Sequence, residues 1–241
     1  YLEQVKLAGA VPRIVMTREE NGFKLAPEEL EEAVTPRTRV LVLNTPSNPT
    51  GTVYTAPELA ALGEVALRRG LVIVSDEIYE KMVYGGARHV SIASLSPELR
   101  ERTVVINGVS KAYSMTGWRI GYAAAPAKVA RAMTALQSHA TSNPTSIAQA
   151  AAVAALTGPQ DALAAMVREF DRRRQLMLEA LGGLPGVRCV PPAGAFYAFP
   201  SVRGLLGRTY RGRPVNSGTD LARLLLEEVQ VAVVPGVAFG S

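Results

Sequence analysis

Three apolar runs in this chain end on residues able to bind a ligand and move protons. Val40-Leu41-Val42-Leu43 runs into Asn44-Thr45-Pro46-Ser47-Asn48-Pro49-Thr50-Gly51. Leu71-Val72-Ile73-Val74 is followed by Ser75-Asp76-Glu77-Ile78-Tyr79, and Thr103-Val104-Val105-Ile106 by Asn107-Gly108-Val109-Ser110-Lys111. Eight residues past Lys111, Arg119 opens a further run after Gly117. An amide, a carboxylate with a phenol three residues on, an amine and a guanidinium thus recur at successive run ends. Each has an ordinary alternative. Asn48-Pro49-Thr50-Gly51 alone reads as a turn, Asp76 as a helix N-cap, Lys111 and Arg119 as surface charges, and Tyr79 as a packed aromatic. Five unrelated explanations in this order are harder to sustain than one site.

The elements that must position these residues follow from periodicity. The runs at 40–43 and 71–74 are apolar on both faces, which suits central strands covered by helices on either side. Candidate strands are 13–16, 40–44, 71–75, 103–107 and 119–124; candidate helices are 1–8, 27–33, 57–69 and 128–138. Strand–helix alternation predicts an α/β domain with a mostly parallel sheet flanked by helices. Ligands of such sheets sit beyond the carboxyl ends of the strands, where the polar residues fall. From about residue 160 the texture changes. A long helix runs to Leu181 and closes on Gly182-Gly183, then come strands at 187–190, 195–199 and 231–234 and a helix at 217–228. The expected division is residues 1–160 as a large domain and 161–241 as a smaller α+β domain.

Composition narrows the classes. The chain has 241 residues, 48% hydrophobic and 20% charged, enough for a sizeable core. A formal charge of +5 is spread along the sequence. Its one basic run, Arg172-Arg173-Arg174, lies in a helical stretch beside Glu169 and Asp171 with no aromatics interleaved, a solvated face rather than a nucleic-acid patch. Cys189 is the single cysteine, so no intrachain disulfide forms, no cysteine-based metal site is expected, and a reducing, cytoplasmic setting fits. The Ala148–Leu156 run is too short to span a membrane, and the first residues show no signal-peptide pattern.

The stretches Asn48-Pro49-Thr50-Gly51, Ser75-Asp76-Glu77-Ile78-Tyr79 and Ser110-Lys111-Ala112-Tyr113-Ser114-Met115-Thr116-Gly117-Trp118-Arg119-Ile120-Gly121-Tyr122 resemble the class I/II aminotransferases. These are pyridoxal 5'-phosphate (PLP) enzymes of fold type I, and the likeness is to their bacterial aspartate aminotransferase branch. The last stretch is very specific, and the likeness extends to Gly194-Ala195-Phe196-Tyr197. It implies an enzyme moving an amino group between an L-amino acid, aspartate foremost, and a 2-oxo acid such as 2-oxoglutarate. Lys111 is implied as the Schiff-base lysine and general base, and Asp76 as the partner of the pyridine nitrogen. Tyr79 and Asn48 are implied as donors to the cofactor's phenolate oxygen, with Asn48 also near the substrate carboxylate. Arg119 and Ser110 are implied as phosphate ligands. The resemblance further implies a homodimer and a cis peptide at Asn48-Pro49. Ser142-Asn143-Pro144 resembles a segment that reaches the neighbouring subunit's site, or else caps a helix.

The family pattern extends past both ends of the chain. It includes a helix N-terminus that cradles the phosphate, an aromatic residue stacked on the ring, and an arginine for the substrate α-carboxylate. Arg203, Arg208, Arg211 and Arg213, in a loop-like insert, do not match that arginine. The expectation is a longer parent protein, with the 241 residues alone neither turning over nor holding PLP tightly. Another aminotransferase, a carbon–sulfur β-lyase, a silent fragment, or the effector module of a transcription regulator remain as alternatives.

Overall fold

The apolar runs lie side by side in the computed structural model, which describes residues 1–240. β1 (Val40–Asn44), β2 (Val72–Asp76), β3 (Thr103–Gly108) and β4 (Gly121–Ala124) form one sheet in that order. β1–β2 and β2–β3 are parallel, and β4 returns antiparallel to β3. Register places Asn44 beside Asp76 and Asp76 beside Ile106, so the three carboxyl ends finish in one row.

The helices are α1 (Leu2–Leu7), α2 (Pro27–Ala33), α3 (Ala56–Arg68), α4 (Pro97–Arg100), α5 (Ala127–Ala140), α6 (Ser146–Thr157), α7 (Asp161–Gly182) and α8 (Gly218–Val229). Their starts carry local signals. Ahead of α3, the Thr55 amide and hydroxyl both donate to the Glu58 carboxylate, at 2.7 and 2.8 Å. Glu58 also takes the Lys24 ammonium at 2.8 Å, which ties the residue 24 loop to that helix. At α8, Ser217 accepts the Asp220 amide and donates to its carboxylate. α3 then buries Leu59, Leu62, Val65 and Ala66 against Leu43, Leu71 and Ile73 of the sheet region and Ile92 and Leu99 beyond it. Each buried Leu, Ile or Val side chain contributes about 1.5–3 kcal/mol, and this cluster holds the parallel strands in register beneath their polar ends.

The second half adds two small ribbons, β5 (Arg188–Cys189) with β6 (Pro200–Ser201) and β7 (Arg208–Tyr210) with β8 (Arg213–Val215). Several expectations are corrected. Residues 13–16 form no strand: Ile14 and Met16 are more than half exposed or close to it, and no described segment supplies a ladder there. Residues 231–234 likewise pair with nothing described, and the strand expected at 195–199 reduces to Pro200–Ser201. The arginine-rich insert is not a loop: Arg203 opens a 3-10 turn, and Arg208, Arg211 and Arg213 belong to the β7–β8 ribbon, turned at Arg211-Gly212 with both φ positive. The Ala-rich run is helix α6. No single described helix is long and apolar enough to cross a membrane.

Candidate active site

Lys111 sits in the turn that leaves β3. Val109 and Ala112 are buried on either side of it, and the Tyr113 amide donates back to the Val109 carbonyl at 3.2 Å. The turn is thereby pinned from below while Lys111, only partly buried, faces the strand ends. Its Nζ lies 5.8 Å from the centroid of the Tyr79 ring and 5.6 Å from that of Phe196, two faces that attract a cation. Ser110, partly buried, precedes it on the same turn.

Asp76 ends β2. It is no helix N-cap, because a turn and not a helix follows; its Oδ1 accepts the Ile78 amide at 3.2 Å, and the Tyr1 hydroxyl donates to Oδ2. A carboxylate has about four acceptor sites, so capacity remains for a further donor. Alternation along the strand sends the neighbours Ser75 and Glu77 to the other face. There the buried Glu77 carboxylate accepts the Ser75 and Ser91 hydroxyls at 2.8 and 2.7 Å and contacts His89 Nε2 at 2.9 Å. Beside this network runs a groove of ≈ 430 Å³ whose walls include Glu80, Arg100 and Tyr122. Tyr79, 3% exposed, lies three residues past Asp76. Burial, and then its contact with Tyr197, hold its phenol above the usual range.

The Asn48 loop is built from both sides. Asn44 Oδ1 accepts the Asn48 amide at 2.8 Å while Asn44 Nδ2 donates to the Asp76 carbonyl at 3.1 Å, so one side chain links the loop to the end of β2. The Gly51 carbonyl accepts the Ala193 and Gly194 amides at 2.9 and 2.8 Å, which fastens the loop to the second half of the chain. Asn48-Pro49 is cis as the resemblance implies, and Thr45-Pro46 is cis as well. Asn48 itself is exposed.

Arg119 stands just before β4, whose first residue, Gly121, pairs with Gly108 at the end of β3. Its backbone is therefore at the same edge as Lys111. The approach is close: a Cβ on Gly108 would meet Gly121 Cα at 3.0 Å. Arg119 is exposed, has φ +52, and donates from one guanidinium nitrogen to the Thr116 carbonyl at 2.9 Å, leaving further N–H donors. A groove of ≈ 450 Å³ opens beside this turn, walled by Ser114, Gly117 and Trp118 and by Thr145, Ile147 and Ala148 of the α6 start. Ser142-Asn143-Pro144 is an exposed link between α5 and α6. At the α6 start Thr145 is the N-cap and Asn143 Nδ2 donates to the Pro144 carbonyl at 2.8 Å, while at the α5 end Ser142, with φ +64, follows the C-cap Thr141.

Lys111, Asp76 and Tyr79 are thus gathered, Asn48 is tethered to them through Asn44, and Arg119 is placed by strand pairing. The sequence assigned no role to Asn44, Tyr1, Phe196 or Tyr197, although Asn44 closes an apolar run and Phe196-Tyr197 lies in a resembling stretch. Asn44 was visible as the polar residue closing its strand; the aromatic pair gave no local sign of packing on Tyr79, which lies more than a hundred residues away. The Arg172-Arg173-Arg174 run is engaged with its own helix: Arg172 and Arg173 each meet Glu169 at 2.8 Å and Arg174 meets Asp171 at 2.7 Å.

Among known proteins, a family model described as aminotransferase class I and II matches residues 1–241. An aspartate aminotransferase of Geobacillus stearothermophilus is 56% identical over the whole chain, and the chain spans 60% of that relative's length. A crystal structure of the aspartate aminotransferase from Rhizobium meliloti is 46% identical with a TM-score of 0.96, covering all of this chain and 61% of its own. An aromatic aminotransferase from Pyrococcus horikoshii matches at 41% identity and a TM-score of 0.92, with 62% of its chain covered. Matched from first residue to last by the family's model, and over its full length by these relatives, the chain belongs to the class I and II aminotransferases.

Proposed function

We propose that the protein carrying this chain is a PLP-dependent aminotransferase acting on an L-amino acid, aspartate first, and a 2-oxo acid such as 2-oxoglutarate. The observation that carries the reading is the Lys111 amine, set between the Tyr79 and Phe196 rings on the row of strand ends that also holds Asp76. The donor set fits the cofactor: an amine for its aldehyde, a carboxylate with acceptor capacity left, a buried phenol, and a guanidinium with spare N–H groups. When bound, PLP supplies the electron sink that stabilises negative charge at the substrate Cα.

Residues of this chain would take the following parts in holding it and in moving the proton. Asp76 holds the ring nitrogen protonated through a charge-assisted hydrogen bond, which keeps the sink strong. Tyr79 and Asn48 donate to the phenolate oxygen, and Asn48 also meets the substrate carboxylate. Arg119, with Ser110, binds the phosphate, for which a planar fork of N–H donors is suited. Lys111 Nζ would be the positioned base that moves the proton between the substrate Cα and the cofactor's C4′ carbon. Residues 1–160 serve as the large domain and 161–241 as the small one, in a cytoplasmic homodimer. Aspartate is favoured because the relative from Geobacillus stearothermophilus bears that name.

The test uses the whole protein. Borohydride reduction followed by peptide mass spectrometry should place the cofactor on Lys111, and a panel of amino acids should yield pyridoxamine phosphate, most rapidly with aspartate. Cofactor attached elsewhere, or pyruvate released without pyridoxamine phosphate, overturns the reading.

A further inference from the structure

Tyr79 is joined through its hydroxyl to a residue of the second half of the chain. The Tyr79 and Tyr197 hydroxyl oxygens lie 2.5 Å apart, and their rings meet edge to face with centroids 5.7 Å apart. Nothing in the proposed chemistry uses Tyr197. We propose that Tyr197 is a positioning residue that donates its hydroxyl proton to Tyr79, orienting the Tyr79 O–H toward the cofactor's oxygen and strengthening its donation. This rests on the functional reading above.

The direction of donation follows from counting. Each phenol has one proton and two lone pairs. A Tyr79 proton committed to the cofactor is unavailable to Tyr197, so Tyr197 must be the donor of the pair. An O–H that accepts a hydrogen bond is polarised and becomes a stronger donor, by about 10–30% in bond strength. The pair can carry such a role because both partners are held. Tyr79 is 3% exposed, with Phe196 edge-on at 5.3 Å. The segment before Tyr197 is sewn to the Tyr79 side of the molecule. The Ala195 amide donates to the Met82 carbonyl at 2.9 Å, the Tyr84 hydroxyl donates to the Ala195 carbonyl at 2.5 Å, and Gly194 bridges to Val83. Ala195, fully buried, is held at φ +58, a conformation that persists only where the surroundings impose it. Phe170 of α7 stacks on Phe196 at 5.4 Å and completes the support. The charged or titratable groups around the Tyr79 phenol are Asp76, Tyr1, Lys111 and Tyr197.

The experiment has one arm without cofactor and one with it. In the cofactor-free whole protein carrying ¹³Cζ-labelled tyrosine, the Tyr79 resonance, assigned with Tyr79→Phe, should move in Tyr197→Phe; a stationary resonance overturns the pairing whatever the enzyme does. In the loaded protein, Tyr79 donation to the phenolate oxygen competes with the neighbouring protonated nitrogen for that negative charge. Weakening it should raise the pH midpoint of the cofactor's visible absorbance by about 0.5, a factor of about three in the equilibrium constant. Tyr79→Phe should raise it further, and the double variant should match Tyr79→Phe alone. Additive shifts, or lost activity with an unmoved midpoint, reduce Tyr197 to packing and overturn the proposal. Should Tyr197→Phe fold poorly, 3-fluorotyrosine at position 197, a more acidic donor, should lower the midpoint, and a rise would count against the idea. Failure of Lys111 to carry cofactor sinks the functional reading instead, and the resonance arm still decides the pair.

Discussion

A side chain on Gly51 would place its Cβ 2.2 Å from Pro192 Cβ, at a backbone φ of +68. Two requirements therefore coincide at one residue: a left-handed conformation, and contact of the Asn48 loop with the segment leading to Phe196 and Tyr197. Gly51→Ala should destabilise the whole protein by about 1–3 kcal/mol, from backbone strain and displaced packing together. It should also lower cofactor affinity, because the loop that carries Asn48 must shift. Thermal denaturation and PLP titration check both, and unchanged values for the pair would show that the loop yields without cost.

Asp76 separates charge from shape. Asp76→Asn keeps an oxygen for the Ile78 amide, so melting should change little. What it loses is the negative charge opposite the ring nitrogen. Turnover of the whole enzyme should fall by about 100-fold or more, the scale on which a preorganised electrostatic partner acts. Steady-state kinetics beside circular dichroism make the comparison, and near-normal turnover would remove Asp76 from the proposed role.

Much of this arrangement was legible in the residues. The runs around Val42, Val74 and Val105 announced parallel strands because buried parallel strands are apolar on both faces, and each polar residue at a run's end marked the carboxyl edge. α3 was legible from its helical pattern, expected over residues 57–69 and found over Ala56–Arg68. What escaped was non-local. Residues 13–16 have strand composition but no neighbour among the described residues to complete a ladder, and composition alone does not name a strand's partner. Phe196 and Tyr197 read as one strand's side chains, whereas their packing on Tyr79 depends on how two halves of the chain meet. The Arg211-Gly212 turn was hidden by charge, since a loop and an exposed ribbon share that composition.

Glu77 tests the layer behind Asp76. Its buried carboxylate takes two serine hydroxyls and faces His89, and the next residue back is Asp76. Glu77→Gln preserves volume but replaces an acceptor-only group with one that must also donate, leaving a hydroxyl or the imidazole opposed. Hydrogen bonds to charged groups are worth about 1.5–3 kcal/mol each, so a loss of about 2–3 kcal/mol is expected in denaturant unfolding, together with weaker PLP binding through the displaced strand end. A variant as stable as the parent would mean that this network contributes little to the β2 terminus.

Tyr84 gives the protein an alkaline limit. Its hydroxyl donates to the Ala195 carbonyl, and burial, followed by the nearby Asp171 charge, pushes the phenol from 10.0 up to about 12, with Arg174 opposing. Below about pH 10 the folded and unfolded states hold this proton alike, and its contribution to stability is fully present. Between about 10 and 12 the unfolded chain has released the proton while the folded one retains it, so stability falls as pH rises. Tyr54 and Tyr79, also raised by burial, act in the same sense. Tyr84→Phe should therefore lower stability at neutral pH by about 0.5–1.5 kcal/mol, the net value of one hydrogen bond. It should also flatten, without abolishing, the decline above pH 10. Urea unfolding of the whole protein at closely spaced pH values from 8 to about 12 resolves the two effects. Parallel curves for the two proteins would mean that Tyr84 does not set the alkaline limit.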